Sequence, residues 1–314
     1  MNDLPRTVIQ TLAFFDMFET PLTREEVFRF LWKSTADREA VYQTLDNLTE
    51  EGKVRNKHSL FYLPGSDDHV DARGRAYPIV LEKLRIARRA AKIIRFIPHV
   101  RAMFVCNTVA FGAAKRESDI DVFIIIDDGR LWLTRFLITS VLGLLRMRRT
   151  KKRIASKICL SFFVTKSAMA LHDVAIDPPD IYLAYWIAEL FPMYDPDNME
   201  ELLHQKNSWV TALLPHAIRS TEPAPYAHVL DSRSSRIIKR FFERAWQGSY
   251  GDLLESQAKR IQEAKMKFNT GSVHGEQNTH VVISDTMLKF HENDRRAYYQ
   301  GRWYETVQKY SKEK

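Results

Sequence analysis

The stretch that most limits how this chain can fold is Val100–Asp127, VRAMFVCNTVAFGAAKRESDIDVFIIID. An apolar run (Met103–Cys106) leads into a small-residue turn (Asn107–Ala114) and a polar bend (Lys115–Ser118). Asp119-Ile120-Asp121 then opens a second apolar run, Val122–Ile126. Such runs, bounded by turn residues, read as buried strands. A strand sends alternate side chains to one face, so Asp119 and Asp121 point the same way, a few Å apart. Two carboxylates that close repel each other, and one pKa rises unless a cation lies between them. Hard oxygen ligands at the mouth of a buried strand suit Mg²⁺ holding a substrate's phosphates.

This arrangement resembles the polymerase-β-like nucleotidyltransferases, whose signature is a Gly-Ser turn followed about ten residues later by Asp-x-Asp on the next strand. The resemblance implies an α/β (α+β) nucleotidyltransferase core with a mixed sheet. It also implies transfer of a nucleoside monophosphate from an NTP to an acceptor hydroxyl, with Mg²⁺ as cofactor. Asp119 and Asp121 fall on the two metal-binding, catalytic carboxylates, Ser118 on the small polar residue that often precedes them, and Gly112 on a second glycine after the turn. Asn107-Thr108 stands where the family has Gly-Ser; Asn tolerates positive φ, and Thr keeps a hydroxyl for a phosphate. Asn107, Thr108, Lys115, Arg116 and Ser118 are therefore the expected nucleotide-phosphate contacts.

The following strand, Lys157–Thr165 (KICLSFFVT), commonly brings the family's third carboxylate, and here it carries none. Its site-facing set is either Ile158, Leu160 and Phe162 or Cys159, Ser161 and Phe163. Asp173, Asp177, Asp180 and Glu189 are the substitutes within reach in sequence, with Glu189 the choice as third catalytic carboxylate. Whether transfer survives is thus open, and the alternative is a weak or inactive nucleotidyltransferase-like regulator that binds nucleotide or nucleic acid.

Upstream, Val8, Leu12 and Phe15 recur at helical spacing, Thr23 and Glu26 form a capping box, and Thr35 or Asp37 starts a third helix with Val41, Leu45 and Leu48 on one side. A short ribbon follows through Leu63. Three helices and a hairpin over 1–65 resemble a winged helix. Asp37, Glu39, Asp46, Glu50 and Glu51 on or beside the third helix would repel phosphates, so a structural or protein-contact role is expected before duplex-DNA reading. A polar linker (Pro64–Asp71) and a helix over Pro78–Ile97 make up 66–98. The core then occupies 99–175, and a helical region 176–314.

Within that core, Leu131–Met147 reads as a crossover helix, and its apolar part is too short to span a bilayer comfortably. The acid-free run Arg146, Arg148, Arg149, Lys151, Lys152 and Arg153 reads as a solvated bend or a landing site for RNA or a phosphate chain. The formal net charge of +8 favours polyanionic partners. NTP is the expected ligand, RNA, protein and a small molecule such as an aminoglycoside are all open as acceptor, DNA is less favoured, and no membrane partner is expected. Cys106 and Cys159 read as buried free thiols, and MNDLPRTVIQ lacks a secretory pattern, so a cytoplasmic protein is expected. Beyond Asp177-Pro178-Pro179-Asp180 the expectations are helices over Ile181–Leu190, Met199–Leu214, Ser232–Trp246 and Tyr250–Lys267, with a turn at Pro192–Pro196. A strand at His280–Ser284 and a helix from Asp285 close the chain; His291, with Lys289, Arg295 and Arg296, is a weaker phosphate candidate.

Overall fold

In the second apolar run nearly every residue after Asp121 is apolar, which only a strand covered on both faces can accommodate. The computed structural model, which describes residues 4–176, 178–217, 228–269, 281–290 and 294–312, places that strand in the middle of a mixed sheet. The elements at the centre are β3 (Val100–Val105), the one-turn helix α5 (Asn107–Ala110), β4 (Ile120–Ile126), α6 (Leu131–Leu144) and β5 (Ile158–Thr165). Before them come α1 (Leu4–Asp16), α2 (Arg24–Arg29), α3 (Arg38–Glu50), the hairpin β1 (Arg55–Lys57) and β2 (Leu60–Tyr62), and the long α4 (Asp68–Ile94). After them come α7 (Ile181–Ala188), β6 (Phe191–Tyr194), α8 (Met199–Lys206), α9 (Ser208–Leu213), α10 (Arg233–Ala245), α11 (Gly248–Asn269), β7 (Val281–Ile283), β8 (Met287–Phe290) and α12 (Arg296–Lys312).

The six strands run β6-β3-β4-β5-β8-β7. β4 and β5 are parallel, joined by the α6 crossover, while every other neighbouring pair is antiparallel. Alternation along β4 divides the core. Val122, Ile124 and Ile126 pack with α4, α6 and α11, whereas Phe123 and Ile125 join Tyr185 and Trp186 of α7 and the N-terminal helices. Asp119 and Asp121 share the parity of Phe123. They therefore open onto the α7 side, at the end of the sheet where β4 begins.

The N-terminal elements form one apolar cluster with that second face. Phe14 stacks on Tyr185 with ring centres 3.9 Å apart, Trp303 Nε1 donates to the Gln10 carbonyl, and Tyr310 donates to the Pro64 carbonyl. Thr23 and Glu26 make the expected capping box, and Asp37, not Thr35, caps α3.

Four expectations are corrected. Helix α4 starts at Asp68, inside the expected linker, and runs through Pro78; Arg73, held by Glu26 and the Pro21 carbonyl, ties its early turns to α2. The expected turn at Pro192–Pro196 begins as β6, because at a sheet edge a proline's missing N–H can face away from the ladder. The single helix over Met199–Leu214 is two, broken at Asn207, whose buried amide bonds the Leu203 and Met169 carbonyls and the Leu171 N–H. β7 falls within the strand expected at His280–Ser284, but the helix expected from Asp285 is instead β8, in which Met287 and Leu288 go to opposite cores, and α12 starts only at Arg296.

Candidate metal and phosphate cleft

Asp119 and Asp121 line a cleft of about 1130 Å³ that runs round the end of β5 between the two faces of the sheet. One carboxylate oxygen from each and the Cys159 Sγ lie within 4.8 Å of one another. Cys159 arrives because β4 and β5 run parallel with Asp121 opposite Cys159; a register shift then puts Phe123 opposite Phe162. Neither expected face of β5 is therefore right as a whole. Cys159 belongs with the carboxylates, but Phe162, not Phe163, continues on that side against Phe123, ring centres 5.0 Å apart.

The local electrostatics follow from burial and crowding. Asp121 is partly buried, and desolvation first, then the Asp119 charge, pushes its carboxyl up. Asn107 opposes this by donating from Nδ2 to Asp121 Oδ2 at 2.8 Å. The Asn107 backbone sits at φ +57°, the conformation expected of an Asn in this turn. Its Oδ1 accepts from Trp186 Nε1 at 2.8 Å and Tyr182 Oη at 3.2 Å. Asp119 is paired with Arg149, whose Nε lies 2.8 Å from Oδ2. Burial and then the two aspartates push the Cys159 thiol far up, so it stays protonated at neutral pH.

Several expected site residues sit elsewhere. Among the five expected phosphate contacts only Asn107 lines the cleft, and its amide is committed to Asp121 and α7. Thr108, Lys115, Arg116 and Ser118 are not among the lining residues; Lys115 is exposed and faces Glu19 at 3.7 Å, and the Ser118 hydroxyl donates to the Lys115 carbonyl at 2.8 Å. Glu189, expected as the third catalytic carboxylate, pairs with Arg29 of α2 at 3.0 Å and does not line the cleft. Asp180 caps α7 and pairs with Arg296, and Asp173 is exposed. Asp177 and His291 lie outside the described residues.

No family model, curated protein or solved structure matches this chain. What the site can do must therefore be read from its own donor set. Two crowded carboxylates, relieved only in part by Arg149 and Asn107, suit a hard divalent cation such as Mg²⁺, while a protonated thiol does not. Asp119 and Asp121 are thus the residues that would hold the ion.

Sequence reasoning passed over three contributors. Arg149 is one member of a basic run that reads as a solvated bend or a phosphate landing site, with no sign of its pairing with Asp119. Cys159 belongs to one of the two site-facing sets that the sequence leaves open, but no role beyond that of a buried thiol is legible for it. Lys83, grouped with the charged face of α4, is buried and donates to the Ser118 carbonyl at 2.5 Å, fixing the backbone just ahead of Asp119. Free buried thiols at Cys106 and Cys159 accord with expectation. Among the described residues no helix is long and apolar enough to cross a membrane.

Proposed function

We propose that this cleft binds a nucleoside triphosphate with Mg²⁺ and transfers its nucleoside monophosphate to an acceptor hydroxyl. The observation that carries the reading is the crowded pair Asp119 and Asp121, side by side on the α7 face of β4 and open to a cleft large enough for a nucleotide. Asp119 and Asp121 would hold the ion, with Asn107 keeping Asp121 aimed into the cleft. Bound Mg²⁺ supplies charge neutralisation on the triphosphate as the α-phosphorus is attacked. Arg149 must release Asp119 for the pair to act together, and a guanidinium so released is suited to phosphate oxygens. The core would then be nucleotidyltransferase-like and the first 65 residues winged-helix-like, with a packing role supported by the apolar cluster they share with the sheet.

The cationic rim at Arg149 and Lys151 favours a polyanionic acceptor, RNA ahead of protein. A duplex-DNA role is opposed by the acidic Glu39, Glu50 and Glu51 on or beside α3.

Cys159 favours a second reading, a nucleotide-binding regulator with little transfer. It stands beside Asp121 on the strand from which the resembled family brings a carboxylate, and a protonated thiol neither binds Mg²⁺ well nor accepts a proton. The missing base assistance is worth about 10²–10⁴ in rate. Calorimetric titration with each NTP, with and without Mg²⁺, followed by a radiolabel-transfer screen against RNA and protein, separates the readings. Transfer that disappears in the Asp119→Asn, Asp121→Asn double variant supports the enzyme. Tight Mg²⁺-dependent binding with no labelled product supports the regulator, and NTP binding indifferent to both Mg²⁺ and the double variant sinks both.

A further inference from the structure

The other arm of the cleft lies on the opposite face of the sheet, between α6, α11 and the first half of β5. Among the described residues strand β8 pairs with Phe162–Val164 and not with Cys159–Ser161. Arg135 of α6 is partly buried here and forms no ion pair with a carboxylate among the described residues. Its guanidinium donates to Gln262 Oε1 at 2.6 Å and lies over the rings of Phe290 and Phe163, at 4.8 and 5.7 Å from their centres. Its Nε has no hydrogen-bond partner among the described residues. Arg148, half-buried in the same wall, makes no side-chain hydrogen bond or ion pair among them, and its charge adds to that of Arg135. Two hydroxyls in this lining also have no hydrogen-bond partner among the described residues: Thr139 Oγ1, and Ser161 Oγ, whose residue is only 6% exposed.

Buried cations without anions are costly, and buried hydroxyls without partners cost further. Arg135 registers this: burial first, then Arg148, pushes its pKa down to about 10. An anion carrying several acceptor oxygens would answer all four groups. We propose that Arg135 and Arg148, with the Ser161 and Thr139 hydroxyls, form a phosphate subsite that takes a phosphate group of a phosphorylated substrate. It lies across β5 from the aspartate pair and requires no metal. Where it bears on the proposed transfer reaction, it would hold a phosphate of the donor or of the acceptor.

The test uses the full chain in EDTA at low ionic strength, with inorganic phosphate and pyrophosphate as calorimetric probes. Saturable binding is expected, weakened about ten- to hundredfold by Arg135→Met or Arg148→Ala, the loss due to a charge-assisted contact. Without anion, Arg135→Met should be as stable as the wild type or more so, whereas an arginine serving only as packing would lose stability on replacement. Should Arg135→Met not fold, Arg148→Ala decides. Competition by ATP or by a 5′-phosphorylated oligoribonucleotide, both without Mg²⁺, tells donor from acceptor. The Asp119→Asn, Asp121→Asn double variant should keep phosphate binding, so failure of the transfer reading leaves the subsite standing. No saturable binding of either probe, wild-type affinity in both arginine variants, or displacement by neither phosphorylated competitor would overturn the proposal.

Discussion

The two ends of β4 carry similar acidic clusters in opposite electrostatic states. At the far end, Asp127 is met by Arg101, by Lys166 at 2.8 Å and by His99 at 3.3 Å, and Arg101 also reaches Glu243 at 2.9 Å. Burial would raise the Asp127 carboxyl, but these partners together hold it far below the usual carboxylate range. At the near end, Asp121 has an amide, a thiol and another aspartate for neighbours, and its carboxyl is pushed up. His99, Asp127 and Glu243 lie as close together as Asp119, Asp121 and Cys159. Proximity of ligand atoms therefore does not mark a metal site. A cluster whose charges the protein already balances is a brace, and one left unbalanced is where a cation from outside belongs.

The sharpest way to break this contrast is Arg101→Ala. It strips Asp127 and Glu243 of their shared cation, and because both are largely buried it should cost about 3–5 kcal/mol in denaturant unfolding. A loss under about 1 kcal/mol would mean the far cluster is solvated and not a brace. Next in size is Cys159→Asp, which supplies the missing third carboxylate. Metal-free, the variant should be less stable than the wild type, with Mg²⁺ restoring it. If transfer is the native chemistry, its rate should rise about 10²-fold, the low end of base assistance. A Cys159→Asp protein indifferent to Mg²⁺ in thermal unfolding would remove the metal assignment from this end of the strand.

How far the chain could be read beforehand depended on the range of the interaction. Alternation along β4 is local, so the shared face of Asp119 and Asp121 followed from their spacing, as did the capping box at Thr23. Cys159 could not be placed, because a register shift against β4 changes which β5 residues share a face, and no pattern within KICLSFFVT announces it. Arg149 looked like one member of a solvated run; only the bend after α6 turns its side chain back to Asp119, while exposed neighbours of the same composition stay in water. Lys83 failed for a related reason, since a lysine on a helix rich in arginine gives no sign that a carbonyl from a distant loop will cover it. Glu189 was chosen by sequence proximity, and Arg29, a partner from the N-terminal helices, claims it instead.

A smaller effect separates the two ends by sign. An unfolded Asp releases its proton near pH 3.9. Asp127 releases its own at lower pH when folded, so its stabilisation is present above that value and is lost as pH falls toward the folded pKa. Asp121 keeps its proton to higher pH when folded, so in EDTA its ionisation costs stability as pH rises from about 4 through the folded pKa. Asp121→Asn, which can retain the Asn107 contact by offering its amide oxygen, should therefore stabilise the metal-free protein at pH 7. The gain should vanish below about pH 4. A variant less stable than wild type at pH 7 would show that the near cluster is braced as well.

The smallest expected effect concerns the one cation the near end does have. Arg149 is nearly half exposed, and an ion pair so open to water contributes about 0.2–1 kcal/mol. Arg149→Ala should thus free Asp119 and tighten Mn²⁺ or Mg²⁺ binding by about 1.4- to fivefold in equilibrium titration, provided the guanidinium competes with the ion for the same oxygen. Arg149→Lys should lie between the two, since an ammonium retains the charge without the planar fork. Weaker metal binding in Arg149→Ala would reverse the inference. The arginine would then be acting with the metal on a common ligand, and measuring the same affinities with and without NTP would show it, because cooperation requires the phosphates while competition does not.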